Sequence, residues 1–133
     1  MYMLDTNMCI YVLKQRSLSL MQKFQQAQVL HISTVVYAEL CYGVELSPAH
    51  LQKPRWEQLQ MFVQPLVIHD WDKQAAEYYA KLRAHLKQRG TPIGNMDMLI
   101  AAHALRFDAT LVSNNIHEFE RVPNLKLENW IDC

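Results

Sequence analysis

The sequence predicts an α/β protein in which a central, mostly parallel sheet of about five short strands is flanked by helices. Short apolar runs alternate along the chain with longer segments of helical periodicity, a pattern typical of parallel sheets. Half of the 133 residues are hydrophobic, which is enough for one compact core. We therefore expect a single domain that spans residues 1–133.

Five strands are predicted, each from a short apolar or β-branched run. They cover residues 2–4, 30–32, 66–68, 110–112 and 126–127. Residues 47–52, with Pro48 and Pro54 nearby, are interpreted as a connection. Ligands of open α/β sheets bind outside the carboxyl ends of the strands, and both Asp5 and Asn115 directly follow a predicted strand. The two side chains are therefore expected at one edge of the sheet.

The clearest helix is predicted over residues 72–89. Asp72 is a suitable N-cap, and Gly90 followed by Pro92 is typical of a helix end. An apolar stripe at helical spacing runs along it, formed by Ala75, Tyr79, Leu82 and Leu86. This stripe favours a packing role for the helix.

Composition narrows the function classes. Thirteen basic and thirteen acidic residues balance, so RNA binding would need a local basic patch. Cys9, Cys41 and Cys133 are odd in number and lack metal-ligand spacing, which argues against a disulfide framework and against a zinc site. No apolar stretch reaches the roughly 18 residues of a membrane span, and Asp5 interrupts any signal-peptide core. The expected location is the cytoplasm.

Three acidic residues, Asp5, Glu39 and Asp97, lie where apolar runs meet helices. A buried carboxylate is costly unless a cation shares the site, so the three together predict a metal pocket. Each also has a simpler interpretation. Asp5 could only cap the following helix, Glu39 could be an exposed helix residue, and Asp97 could be a first-turn acid with Asn95 as the cap.

Four motifs carry a resemblance to a known family. They are Leu4-Asp5-Thr6-Asn7, Ala38-Glu39-Leu40, Asp97-Met98-Leu99-Ile100-Ala101-Ala102 and Leu111-Val112-Ser113-Asn114-Asn115. In this order and at these separations, the chain resembles PIN-domain ribonucleases of the VapC toxin type from Met3 to about Trp130. Each motif is weak alone, but the ordered set is specific. The resemblance implies a PIN-like fold.

The resemblance also implies an activity and site residues. It carries metal binding onto Asp5 and Asp97, and metal binding or water positioning onto Glu39. Oxygen ligands suit Mg²⁺, with Mn²⁺ as the alternative, and such a metal can promote hydrolysis of RNA without a nucleophilic side chain. The implied enzyme is a metal-dependent endoribonuclease.

The fourth catalytic position departs from many relatives, because Asn115 stands where an Asp is frequent. An amide adds no charge, so one Mg²⁺ is expected rather than two. Glu118 or Glu120 could compensate, although exposed helix residues are the simpler interpretation of both. The resemblance further suggests Asn7 and Ser113 as substrate contacts.

Other polar residues give weaker signals. Arg83 lies in a basic helix and could contact RNA, although a solvated face is the preferred interpretation. Lys14, Arg16 and Arg121 are alternative contacts. The six histidines show no paired spacing and are expected to be ordinary surface or core residues. His117 is the exception that merits a test for a catalytic role, because it follows Asn115 in the loop at the edge of the sheet.

Two other function classes remain for comparison. A haloacid-dehalogenase-type phosphotransferase needs a second acid two residues after the first, and Asn7 occupies that place. A weak or inactive PIN domain that binds RNA or protein is the alternative to the nuclease. The family implies a VapB-type antitoxin as partner, an RNA substrate with initiator tRNA cut in its anticodon loop as the leading candidate, a homodimer and a larger toxin–antitoxin assembly.

Overall fold

Five parallel strands form one sheet in the computed structural model, which describes residues 1–14 and 18–131. The strands are β1 (Tyr2–Leu4), β2 (Leu30–Ser33), β3 (Val67–His69), β4 (Thr110–Val112) and β5 (Lys126–Glu128). Their order is β3-β2-β1-β4-β5, and each neighbouring pair is parallel. The predicted α/β class is confirmed, with each strand within about one residue of its predicted position. Arg16 and Cys133 lie outside the described residues.

Helices connect the strands. They are α1 (Thr6–Lys14), α2 (Leu18–Ala27), α3 (Thr34–Glu45), α4 (Ala49–Val63), α5 (Lys73–Arg89), α6 (Asn95–Arg106) and α7 (Ile116–Phe119). The predicted connection at residues 47–52 is wrong beyond Pro48, because α4 already begins at Ala49 and contains Pro54. No helix among the described residues is long and apolar enough to cross a membrane.

The predicted helix at residues 72–89 is confirmed as α5. The Asp72 side chain accepts a hydrogen bond of 2.8 Å from the Ala75 backbone N–H. Gly90 closes the helix in the left-handed conformation, with φ of 68°, which glycine adopts without steric cost. Leu82 and Leu86 are buried in the core, as the apolar stripe predicts.

The order of the strands creates a crevice at the carboxyl ends of β1 and β4. From β1 the chain proceeds to β2 and β3 on one side, whereas β4 and β5 lie on the other. Leu4 and Val112, the last residues of β1 and β4, are paired in register. Such a reversal of strand order is where open α/β sheets bind ligands. Asp5 and Ser113 leave the sheet at this crevice.

Candidate metal site at the carboxyl edge of the sheet

Asp5 is a buried carboxylate with both oxygens engaged. Only 2% of the residue is exposed. Oδ1 accepts a hydrogen bond of 2.8 Å from the Met8 backbone N–H, so Asp5 does cap α1. Oδ2 accepts a short hydrogen bond from the Ser113 hydroxyl at the end of β4. Because each carboxylate oxygen has two lone pairs, the cap and the hydroxyl leave capacity for a cation.

Glu39 reaches the same region from α3. Its Oε1 accepts a short hydrogen bond from the Thr6 hydroxyl, and Thr6 directly follows Asp5 in the chain. Glu39 is partly buried, so the simpler interpretation as an exposed helix residue is not what the structure has. The Thr6 contact joins the second predicted acid to the first.

Asp97 lies in the first turn of α6 and contacts Glu118 of α7. The helix begins after Gly94, which provides no side-chain cap, so the alternative in which Asn95 is the cap is wrong. A Cβ on Gly94 would lie 3.2 Å from Asp97 Oδ2, closer than an ordinary van der Waals contact. The missing side chain of Gly94 therefore leaves room for the Asp97 carboxyl group.

The four carboxylates of Asp5, Glu39, Asp97 and Glu118, which we call the acidic cluster, influence one another electrostatically. Burial, the Glu118 hydrogen bond and the charges of Glu118, Asp5 and Glu39 together raise the pKa of Asp97 to about 7. Burial also raises the pKa of Asp5, against the lowering effect of its hydrogen bonds. The hydrogen bonds from Asp97 and Asn115 lower the pKa of Glu118, so Asp97 and Glu118 share one proton near neutral pH.

Among the described residues, no basic side chain balances this charge by a direct ion pair. The ion pairs among residues 1–14 and 18–131 join Arg106 to Asp72, His117 to Glu120 and Lys126 to Asp108. None involves the acidic cluster. In the same described ranges, no three or more His, Cys, Asp or Glu side chains converge closely enough to hold a metal ion as they stand. The carboxylates are instead engaged with hydroxyl groups and with each other.

The chemistry of the donors still fits a hard cation. The acidic cluster offers only oxygen donors, which Mg²⁺ and Mn²⁺ prefer, and no ion pair among the described residues neutralises it. Release of the proton shared by Asp97 and Glu118 is the change that the cluster requires before both can act as ligands.

Asn115 contacts the acidic cluster through a hydrogen bond to Glu118. Its Nδ2 donates a hydrogen bond of 2.9 Å to Glu118 Oε2, and its backbone N–H donates one of 2.9 Å to the Ser113 hydroxyl. The preferred interpretation of Glu118 as an exposed helix residue is therefore wrong, because it is a partly buried member of the site. Glu118 lies beside Asp97 as a fourth carboxylate, and the expectation of one Mg²⁺ rather than two stays a prediction. The sequence did contain one signal for this contact, because Glu118 follows Asn115 by three residues, and residues three apart at a helix start lie close together.

The predicted substrate contacts lie in different settings. Ser113 is fully buried and donates to Asp5, which makes it a positioning group rather than a direct contact to substrate. Asn7 is exposed in the first turn of α1. Arg83 is exposed on α5 and donates a hydrogen bond of 2.9 Å to the Tyr79 hydroxyl, which lies 3.3 Å from Asn95 Oδ1. This places Arg83 near the beginning of α6, the helix that carries Asp97.

Neither His117 nor Glu120 joins the acidic cluster. Their side chains are 83% and 61% exposed, and His117 Nδ1 lies 3.8 Å from Glu120 Oε1. For Glu120, the interpretation as an exposed helix residue agrees with the structure.

Three histidines form a second cluster that their spacing did not predict. His31 Nδ1 lies 2.8 Å from His69 Nε2, and the two rings are stacked. The His103 ring is fully buried, with Nδ1 2.7 Å from the Ser33 hydroxyl oxygen. Its Nε2 has no hydrogen-bond partner among the described residues. Burial lowers the pKa of His103 to about 4, and burial followed by the charge of His69 lowers that of His31.

With this geometry established, comparisons with known proteins identify the family. The family model described as the PIN domain matches residues 2–125, which is nearly the whole chain. The chain belongs to the PIN domain family. The resemblance seen in the four sequence motifs is thereby confirmed.

Within the PIN domain family, the chain is similar over nearly its whole length to proteins named VapC. It is 44% identical over 132 residues to "Ribonuclease VapC2" of Rickettsia felis, with 97% of each chain covered. It is 36% identical over 130 residues to "tRNA(fMet)-specific endonuclease VapC" of Salmonella typhimurium, again with 97% of each covered. Its fold matches a chain in the crystal structure of VapBC2 from Rickettsia felis bound to a promoter DNA fragment, with a TM-score of 0.92, 41% identity and 98% of each chain covered.

Proposed function

We propose that this chain is a metal-dependent endoribonuclease and the toxic component of a type II toxin–antitoxin system. The observation that carries the proposal is the acidic cluster, four carboxylates at the carboxyl ends of β1 and β4 without an ion-paired cation among the described residues. The relatives named ribonuclease and endonuclease support the same reaction class.

The proposed cofactor is Mg²⁺, with Mn²⁺ as the alternative. When bound, the ion would supply positive charge at the scissile phosphate and lower the pKa of a water molecule towards neutrality. Asp5, Asp97 and Glu39 are the proposed ligands, and Glu118 adds a fourth carboxylate beside Asp97. The oxygen-only donor set supports a hard cation over zinc, which favours sulfur and nitrogen ligands.

The protein's own contribution is to fix these groups in advance. The Ser113 hydroxyl and the Met8 N–H orient Asp5, and the Thr6 hydroxyl orients Glu39. Asn115 holds Glu118 against Asp97. Preorganised charges of this kind need little rearrangement during the reaction, which is how electrostatic catalysis gains most of its effect. The proton shared by Asp97 and Glu118 must leave the site before both are ionised.

The substrate and partner are proposed from the relatives. A relative named a tRNA(fMet)-specific endonuclease supports initiator tRNA, cut in its anticodon loop, as the leading substrate. A solved VapBC complex at 41% identity supports a VapB-type antitoxin as partner. An Arg side chain from such a partner would be well matched to the acidic cluster when no metal is bound. The homodimer and the larger assembly stay predictions.

The decisive experiment is cleavage of end-labelled initiator tRNA by the purified chain with Mg²⁺, alongside other tRNAs of the same length. We expect Asp5→Asn and Asp97→Asn each to lower the single-turnover rate by about 1,000-fold, because each removes a negative charge that would hold the cation at the scissile phosphate. Chelation with EDTA should abolish cleavage by the unmodified chain.

Asp108→Asn is the matched control. Asp108 is exposed, pairs with Lys126 and has φ of 49°, a conformation that Asn tolerates as well as Asp. Its cleavage rate should stay within twofold of the unmodified chain. Full activity in Asp5→Asn and Asp97→Asn would overturn the nuclease assignment. A chain that binds RNA but cleaves none with either metal would instead support the inactive binding module.

Expression in cells tests the partner and the cut site together. We expect induction of the chain alone to arrest growth, and co-expression of its genomic neighbour to relieve the arrest. Sequencing of RNA ends after induction should show one dominant cut in the initiator tRNA. Arrest that the neighbour does not relieve would contradict the antitoxin proposal.

A further inference from the structure

A cavity opens beside the acidic cluster between α1, α3 and α4. Its volume is about 440 Å³, and Glu39 forms part of its wall. The volume lies within the roughly 300–1,000 Å³ that is usual for small-molecule sites. Since Glu39 belongs to both the cavity and the acidic cluster, anything bound in the cavity lies next to the proposed reaction centre.

The lining of the cavity combines an apolar floor with cationic and amide groups. Leu40 and Leu59 are buried core residues that contribute to the floor. Lys14, Arg55 and Gln58 provide the polar groups. Unpaired bases of RNA are bound in this manner elsewhere, with the flat face against apolar or planar groups, the edge hydrogen-bonded and the phosphate against cations.

Arg55 is held in place by a neighbour that is not an anion. Its Nη1 donates a hydrogen bond of 2.7 Å to the Ser47 hydroxyl, which in turn donates one of 3.3 Å to the Gly43 carbonyl oxygen. A guanidinium group has five N–H donors, so this contact leaves enough for a bidentate phosphate contact. Within the part of the chain that the structure describes, neither Arg55 nor Lys14 takes part in an ion pair.

Charge at the site explains why such cations are needed. The acidic cluster repels RNA phosphates, and the chain as a whole has a net charge of zero, so no general attraction compensates. Lys14 and Arg55, which form no ion pair with any described residue, lie in a cavity whose wall includes a member of that cluster. Phosphate contacts by such residues provide the salt-dependent part of RNA affinity.

We propose that this cavity, lined by Lys14, Glu39, Gly43, Arg55 and Gln58, is a nucleotide subsite that holds the base and phosphate next to the cleaved bond. The inference rests on the proposed ribonuclease function. The base lies on the apolar floor with its edge towards Gln58, and the phosphate lies against Lys14 and Arg55. The subsite both anchors the RNA and restricts which nucleotide can precede or follow the cut.

The cationic half of the subsite is tested with Lys14→Gln and Arg55→Gln in single-turnover cleavage of a short RNA. We expect each variant to raise the half-saturating concentration about tenfold with little change in the maximal rate, because phosphate binding is equally strong before and during the reaction. Each should also reduce the slope of log affinity against log salt by about one. Lys53→Gln, an exposed lysine of α4 outside the cavity lining, is the matched control and should change neither quantity.

The base-binding half is tested by a size series at Gly43. A Cβ at Gly43 would meet no atom within 4 Å, so the first side-chain atom can be added there without a clash, and the residue is exposed. Gly43→Ala and Gly43→Met should lower kcat/KM progressively. Removal of the base next to the cut, with an abasic nucleotide, should slow the unmodified chain about tenfold but Gly43→Met by less than twofold, because the two changes remove the same contact.

The outcomes separate this inference from the proposed function. If the unmodified chain cleaves no RNA, the ribonuclease proposal itself fails. If it cleaves, but base removal slows it and Gly43→Met by the same factor, the nucleotide subsite is overturned while the nuclease stands. Variants that cleave normally but no longer bind the co-expressed genomic neighbour would also overturn it, because the cavity would then be a protein-binding surface.

Discussion

The acidic cluster and the histidine cluster formed by His31, His69 and His103 respond to the same physical effect in opposite ways. Burial disfavours the charged form of any group, so it raises the pKa of Asp97 and Asp5 and lowers that of His103 and His31. The lowered pKa of His103 and of His31 favours the neutral ring, which these residues reach by losing a proton. The carboxylates cannot all become neutral at pH 7.

The difference indicates which cluster needs a ligand. The histidine cluster carries little charge to balance, because neutral rings can stack and hydrogen-bond to Ser33 and to one another, although His103 Nε2 has no partner among the described residues. The acidic cluster retains negative charge that no ion pair among the described residues relieves. A group of titratable side chains is therefore better judged by its charge at working pH than by its number of members.

The largest effect on stability is expected from His103→Ala. The change leaves a cavity in the core and removes the His103 partner of the Ser33 hydroxyl, which keeps the hydrogen bond from the Val35 N–H, so the free energy of unfolding should fall by roughly 2–4 kcal/mol in urea denaturation. Cleavage by the folded fraction should stay within threefold of the unmodified chain. Loss of cleavage in a variant that is still folded would show that the histidine cluster serves the reaction.

The same variant tests whether His103 makes the stability of the fold depend on pH. Because the folded-state pKa of His103 is about 4, against 6.5 in the unfolded chain, the unfolded state binds more protons between these values. Stability should therefore fall as the pH decreases from 6.5 to 4. His103→Ala should lose less stability than the unmodified chain over this window, and an equal loss in both would assign the acid sensitivity to other groups.

The affinity of the acidic cluster for Mg²⁺ should increase with pH. A cation must displace the proton shared by Asp97 and Glu118, so affinity should rise up to about tenfold per pH unit below pH 7 and level off above it. Calorimetric titration with Mg²⁺ between pH 5.5 and 8 measures this. A flat affinity over that range would mean that Asp97 is not a ligand.

The smallest effect is expected for the stability of the metal-free protein when Asp97 is replaced by Asn. The raised folded-state pKa of Asp97 means that stability from this group is present at low pH and is lost as the pH rises towards 7. At pH 8 in EDTA, Asp97→Asn should therefore stabilise the protein by roughly 1 kcal/mol, a value reduced for the partial exposure of the group. Asp108→Asn should not. Stabilisation that persists at pH 4 would contradict an electrostatic cause.

Local signals in the sequence predicted much of the fold. The short apolar runs located all five strands, and the Asp72 and Gly90 caps located α5, because these features act within a few residues. The beginning of α4 escaped prediction because Pro48 and Pro54 resemble the ends of a connection. Proline lacks an N–H donor, which costs nothing at Pro48, because the N–H group of an N-cap has no partner within the helix. Pro54 lies inside α4 and removes one helical hydrogen bond, so a proline at this position favours a connection over a helix.

The sequence predicted those residues of the candidate site that lie in family motifs and missed those that do not. Asp5, Glu39 and Asp97 were assigned by the order of the family motifs, and the structure brings them into electrostatic contact. Glu118 was assigned to the surface, because its contact with Asp97 depends on how α6 and α7 meet. The histidine cluster depends on the register of β2 and β3 and on α6, so no spacing in the sequence could reveal it.

The hydrogen bond between Ser113 and Asp5 joins residues 108 positions apart. During synthesis the amino-terminal half of a protein emerges first. A nascent chain that ends before β4 has Asp5 without its hydroxyl partner, β1 without one of its two neighbours, and no Glu118. A chain that ends before α6 also lacks Asp97. The acidic cluster is therefore complete only in the last quarter of translation, once Glu118 has been added.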